Sequence, residues 1–245
     1  MHSATSFLCE TLDEITGQRI VKMVIHNKIR ISAIILLVQT VIWLVFTILS
    51  MSQVQSNWSN LDYISWVSSP DFYFIGNYIN ATLLTVSAIT LLTLLNSFLK
   101  QYFETSSFIG YIFVPMYGIL NIICYSIQIS IVPSIAFASL SDNTLIPIAS
   151  QLIQANKISL IGYLNGLAYA ILGIPSIIFG ILLFLKSIRL SGILLASNGL
   201  FCIIGIIGYI LNNSILSTGT MIGGILFLLS LIFMIIDFRT SIKAQ

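Results

Sequence analysis

The sequence predicts an all-α polytopic membrane bundle of six transmembrane helices with both termini in the cytoplasm. Three observations carry that prediction: composition, the length of the apolar runs and the placement of the charges. Of 245 residues, 57% are hydrophobic and only 7% charged, with a mean hydropathy of +1.02. A water-soluble fold of this size has too little polar surface for such a chain. Crossing a bilayer takes roughly 20 mainly apolar residues, and six segments supply them: 31–52, 72–99, 108–138, 158–185, 192–212 and 216–237. The division is a cytoplasmic segment at 1–30, a six-helix membrane domain at 31–237 and a cytoplasmic tail at 238–245.

Charge sets the orientation. Arg19, Lys22, Lys28 and Arg30 precede the first span, Lys100 follows the second, Lys186 and Arg189 separate the fourth and fifth, and Arg239 and Lys243 follow the sixth. Only Lys157 falls on the other side, so the positive-inside rule places both termini in the cytoplasm. Asp62, Asp71 and Asp142 then face outward, and Trp58, Tyr63, Trp66, Phe72 and Tyr73 form an aromatic belt at the outer interface.

The elements follow in order. TLDEITGQRIVKMVIHNKIR opens with a Thr11 to Glu14 capping-box pattern and helical apolar spacing, which predicts a short interfacial helix before the first span. That first span lacks an A-x-A site after it and is expected to stay as a helix. In the second span Tyr73, Asn77, Asn80 and Ala81 share a face; in the third, Tyr111, Gly118, Asn121, Tyr125 and Gln128 do so. The polar loop 139–157 encloses Ile146, Ile148, Leu152 and Ile153, which predicts a short surface helix.

The fourth span, IGYLNGLAYAILGIPSIIFG at its start, is expected to segregate. At about 100° per residue, Gly162, Asn165, Gly166, Tyr169, Gly173, Ser176 and Gly180 fall on one face, and Leu160, Leu164, Leu167, Ile171, Ile174, Ile178 and Leu182 on the lipid side. Pro175 removes one backbone donor and predicts a continuous, kinked helix rather than a discontinuous one. Asn198, Gly205, Tyr209 and Asn212 share a face in the fifth span; Gly219, Thr220, Gly223 and Ser230 share one in the sixth. The spacings Gly162/Gly166 and Gly219/Gly223 are GxxxG patterns, which with Gly173 allow close helix contact.

The polar residues concentrate in the outer halves of these helices. They are read either as hydrogen-bonded glue between helices or as the lining of an outward-opening cavity for a lipid-like or small uncharged ligand. Asn77, Asn80, Asn121, Tyr125, Gln128, Asn165, Tyr169 and Tyr209 are the candidate lining residues. The alternative reading is an accessory or immunity-type subunit whose glycine seams dock a partner membrane protein or a second copy.

Absences exclude other classes. Every Asp, Glu, Lys and Arg is assigned to a loop, terminus or helix end, with Asp237 nearest to an exception, which disfavours proton-coupled or ion-pumping mechanisms. His2 and His26 are placed in the tail and at the interface, and no H-x-x-x-H or C-x-x-C spacing occurs, so no catalytic base, metal site or cofactor is expected. Cys9, Cys124 and Cys202 are read as free thiols. No basic run suggests nucleic acid, leaving membrane lipids as the surrounding partner.

The run GIPSIIFGILLFLKSIRLSGILLASNGLFCIIGIIGYIL, 173–211, resembles the late part of a bacterial six-helix membrane family catalogued as a domain of unknown function. In that family an apolar helix ends in a short basic turn, here LKSIRLSG, followed by a glycine-bearing helix. The resemblance implies the architecture and a bacterial cytoplasmic membrane location.

Overall fold

In a computed structural model, residues 2–55, 57–156 and 159–243 are described, with side chains for 23–55, 57–156 and 159–239. Six helices are long and apolar enough to cross a membrane, and no strand occurs among the described residues. The spans lie in α1 (His2–Met51), α3 (Phe72–Leu99), α4 (Glu104–Ser130), α7 (Leu160–Leu185), α8 (Arg189–Ile210) and α10 (Gly219–Lys243). Between them sit the short helices α2 (Asn60–Ser68), α5 (Val132–Ser139), α6 (Ile146–Leu152) and α9 (Ser214–Ser217). This is the architecture of an integral membrane protein.

Helix α7 is the hub. It packs against α8 and α4, with further contacts to α3 and α6, while α1 and α10 close the other side against α3 and α8. It is also the most buried span, at 56% of its most apolar window against 17% for α1. Its expected lipid face is therefore only partly one: Leu160 is exposed and Leu182 buried, and Leu164, Ile171 and Ile178 pack against the cores. The physical reason is that a central helix has neighbours on several sides, which a two-face division cannot represent. Pro175 lies inside a helix that continues on both sides of it.

Several boundaries differ from the sequence reading. The N-terminal segment is not a separate interfacial helix but runs unbroken into the first span. The third span ends at Ser130, and VPSIAFAS forms α5 with Pro133 in its first turn, where a missing N–H costs nothing. The expected surface helix is present as a single 3₁₀ turn, Asn143–Leu145, leading into α6.

Two apolar cores result. The larger gathers Leu36, Leu91, Leu95, Phe179, Leu195, Met234 and Phe238 toward the end carrying the chain termini. The smaller joins Ile64 and Val67 of α2, Ala136 of α5 and Ile153 to Phe74, Tyr78 and Tyr125 at the opposite, far end. Tyr63 is buried in this second core and Trp58 and Trp66 pack against it half-buried, while Phe72 and Tyr73 stay exposed. A ring contact ties α2 to α3 here, Trp66 sitting edge-on to Phe74 at 5.2 Å, and Trp58 sits edge-on to Tyr63 at 5.4 Å.

Candidate functional site

Glycine decides where the helices meet backbone to backbone. A methyl carbon on Gly199 of α8 would lie 2.3 Å from the Gly173 carbonyl oxygen of α7, and one on Gly180 would lie 2.6 Å from that of Gly192. On the other side of α8, an added methyl carbon on Gly219 of α10 would lie 2.7 Å from the Phe201 carbonyl oxygen, and one on Gly223 would lie 2.9 Å from the Cys202 sulfur. Gly166 meets Ile206, and Gly162 meets its own cap, Ser159. The nominated glycines are thus filled by the chain's own helices.

The nominated polar residues fall into four groups. Asn77 and Asn80 join α3 to α1: the Thr47 hydroxyl donates to Asn77 Oδ1 at 2.8 Å, and Asn80 Nδ2 donates to the Gln39 carbonyl at 3.4 Å. Gln128 is fully buried and holds the loop after α6, donating to the Leu152 carbonyl at 2.7 Å and accepting from the Gln154 N–H at 3.1 Å. It pairs with that backbone as a neighbouring strand would, which satisfies two groups otherwise left in an apolar setting. Tyr209 is 36% exposed at the end of α8, stacked obliquely on Tyr163.

The remaining four, Asn121, Tyr125, Asn165 and Tyr169, share the α4–α7 interface. Tyr125 and Tyr169 touch hydroxyl to hydroxyl at 3.0 Å. The helices run antiparallel, and four residues of helix rise about 6 Å. Asn165 therefore lies one turn toward the far end from this pair, and Asn121 one turn toward the termini. The Asn165 Oδ1 is buried without a hydrogen bond, and so are both amide atoms of Asn121, whose side chain is fully buried. Gln154 Oε1, under the far-end cap, is a further buried acceptor without a partner.

Sequence reasoning missed Tyr117, and placed Ser176 and Asn198 on inward faces without nominating them. Tyr117, fully buried on the same face of α4, directs its hydroxyl toward the Thr85 hydroxyl and the Asn121 amide. Between α7 and α8, Asn198 donates to the Ser176 hydroxyl at 3.1 Å and accepts from the Cys202 thiol at 3.4 Å. The spacing 117, 121, 125 was the available signal, since i, i+4 residues share a helix face.

A second correction concerns His26. It does not stay outside the bundle but is buried, held between Phe98 and Phe238 with ring centroids at 5.1 and 5.3 Å. The uninterrupted α1 carries it into the bundle, where α3 and α10 enclose it. Asp237 accepts from the Ser191 hydroxyl across the α8–α10 contact. Among the described residues no group of three His, Cys, Asp or Glu side chains could hold a metal ion.

No family model matches the chain, and neither does any curated protein or solved structure.

Proposed function

We propose that this protein binds a small, uncharged, hydrogen-bonding ligand in the polar column between α4 and α7, reached from the far end of the bundle. One observation carries the reading: Asn121 is fully buried and neither of its amide atoms makes a hydrogen bond of ordinary geometry, the Tyr117 hydroxyl being turned toward it without closing one. A buried polar group without a partner costs ~1–3 kcal/mol, so such groups call for an explanation, and a ligand or water that bonds them supplies one. Asn165 Oδ1 and Gln154 Oε1 give the same signal on the path outward.

The column offers amide donors and acceptors and tyrosine hydroxyls but no charge, which suits a neutral ligand. Its close packing favours a compact one over a lipid chain. Asn77, Asn80 and Gln128, whose amides are bonded across helices, act as glue in this reading. A partner helix docking through the glycine patterns is less well supported, because α8 already occupies those faces.

Access is the test. In a protein whose cysteines are replaced by alanine, Asn165→Cys and Asn121→Cys are each exposed to methyl methanethiosulfonate, a small neutral thiol reagent, and to a bulky cationic analogue. The reading predicts modification of both by the neutral reagent, Asn165→Cys faster, and little by the cation. Reaction at neither position in the folded protein overturns it.

A further inference from the structure

The far end carries a second feature outside the helix bundle. A surface hollow of about 350 Å³ is lined by Gln53, Trp58, Asp62, Ser65 and Trp66, a volume within the ~300–1,000 Å³ range of small-molecule sites. Its floor and walls are set by local chemistry. Ser59 caps α2 and forms a reciprocal capping box with Asp62, fixing the carboxylate at the rim. Trp58 and Trp66 meet at an interplanar angle of 63° with centroids 5.8 Å apart, making a corner of two indole rings.

The hydrogen-bond inventory selects the ligand. The Trp66 N–H is spent on Gln53 Oε1 at 3.2 Å, and the Gln53 amide donates to Asp71 Oδ2 at 2.7 Å. Both bonds to Asp62, from the Ser59 N–H and hydroxyl, go to Oδ2, so Oδ1 keeps its acceptor capacity. Among the described residues no basic side chain lines the hollow, and Asp71 adds a second negative charge behind Gln53. What the hollow presents is therefore carboxylate acceptor and indole π-surface, with the Trp66 N–H and the Gln53 amide already engaged.

We propose that this hollow binds an alkylammonium cation, either free or as the head group of a lipid. Indole rings attract such cations through their quadrupole, and a carboxylate supplies the counter-charge. A hydrated inorganic cation gains little from indole faces; an alkylated ammonium gains from both components. The site is independent of the α4–α7 column and stands or falls separately.

The test is a tryptophan-fluorescence titration of the full chain in phosphatidylglycerol nanodiscs with choline, with its neutral carbon isostere 3,3-dimethyl-1-butanol, and with glucose. The expected result is saturable choline binding, at least about tenfold tighter than the isostere and weakened about tenfold by Asp62→Asn or Trp58→Leu, the size of losing one cation–π or charge contact. Elution of each variant as a single species controls for folding. Repeating the titration in nanodiscs containing phosphatidylcholine separates the sources: displacement of free choline assigns the site to lipid head groups, and unchanged binding assigns it to a free cation. Equal binding of the isostere, a preference for glucose, indifference to both substitutions, or no saturable signal in phosphatidylglycerol overturns the proposal.

Discussion

Helix α7 has two working faces, and they are built on opposite terms. Toward α8 it presents Gly173 and Gly180 to Gly199 and Gly192, and the backbones approach so closely that even one methyl group meets a carbonyl or amide. Toward α4 it presents Asn165 and Tyr169, joined across the gap by one hydroxyl contact and otherwise carrying unsatisfied amides. The first face has no space for anything but helix. The second carries polar groups that helix packing leaves unsatisfied, at a cost in stability.

The largest effect should come from breaking the sealed face. Gly199→Val puts branched carbon against the Gly173 carbonyl, which backbone cannot vacate cheaply; we expect a loss of at least ~1–3 kcal/mol, read as a lower melting temperature and aggregation on size-exclusion chromatography. Next comes Gln128→Leu, which releases the Leu152 carbonyl and Gln154 N–H into an apolar cap. A cost of ~1–3 kcal/mol should show as faster proteolysis within 139–159, with the transmembrane core intact.

The open face should respond in the opposite direction. Asn121→Leu removes an amide whose burial is uncompensated, so the unliganded protein is predicted to melt higher, by the equivalent of ~1 kcal/mol or more, while losing ligand retention. A lower melting temperature would mean that the amide is bonded within the bundle. Smaller still is the effect of acid at the far end. Ser59 bonds hold the Asp62 carboxyl below its ordinary value of 3.8, so the α2 cap contributes stability above that value, lost as pH falls through the lowered one. The protection factors of the α2 amides, which correct for the intrinsic pH dependence of exchange, should fall there and stay constant from pH 5 to 8. The smallest effect belongs to Gly224→Ala, since nothing lies within 4 Å of an added methyl; its melting temperature should match the parent within ~0.5 kcal/mol.

Much of this contrast was legible in the residues. Apolar runs gave the six spans, and helical spacing gathered Asn121 with Tyr125 and Asn165 with Tyr169, because both depend only on local periodicity. The third span was drawn too long because VPSIAF is as apolar as what precedes it, and α2 was missed although Ser59-Asn60-Leu61-Asp62 carries a capping-box pattern. Burial of His26 was not readable from its neighbours Lys28 and Arg30, since it depends on Phe98 and Phe238, distant in the chain. The separation of bonded from unbonded amides lay beyond sequence for the same reason: Thr47 meets Asn77 and Gln128 meets Leu152 only once the helices are packed.

Native mass spectrometry from lipid nanodiscs, with the released small molecules identified, tests the central claim most directly. The account predicts a stoichiometric neutral species on the parent protein, absent from Asn121→Leu and from Asn165→Leu, and retained in Asn80→Leu. A bare parent protein, or a species held equally by all four, would contradict it and leave the α4–α7 amides as packing alone.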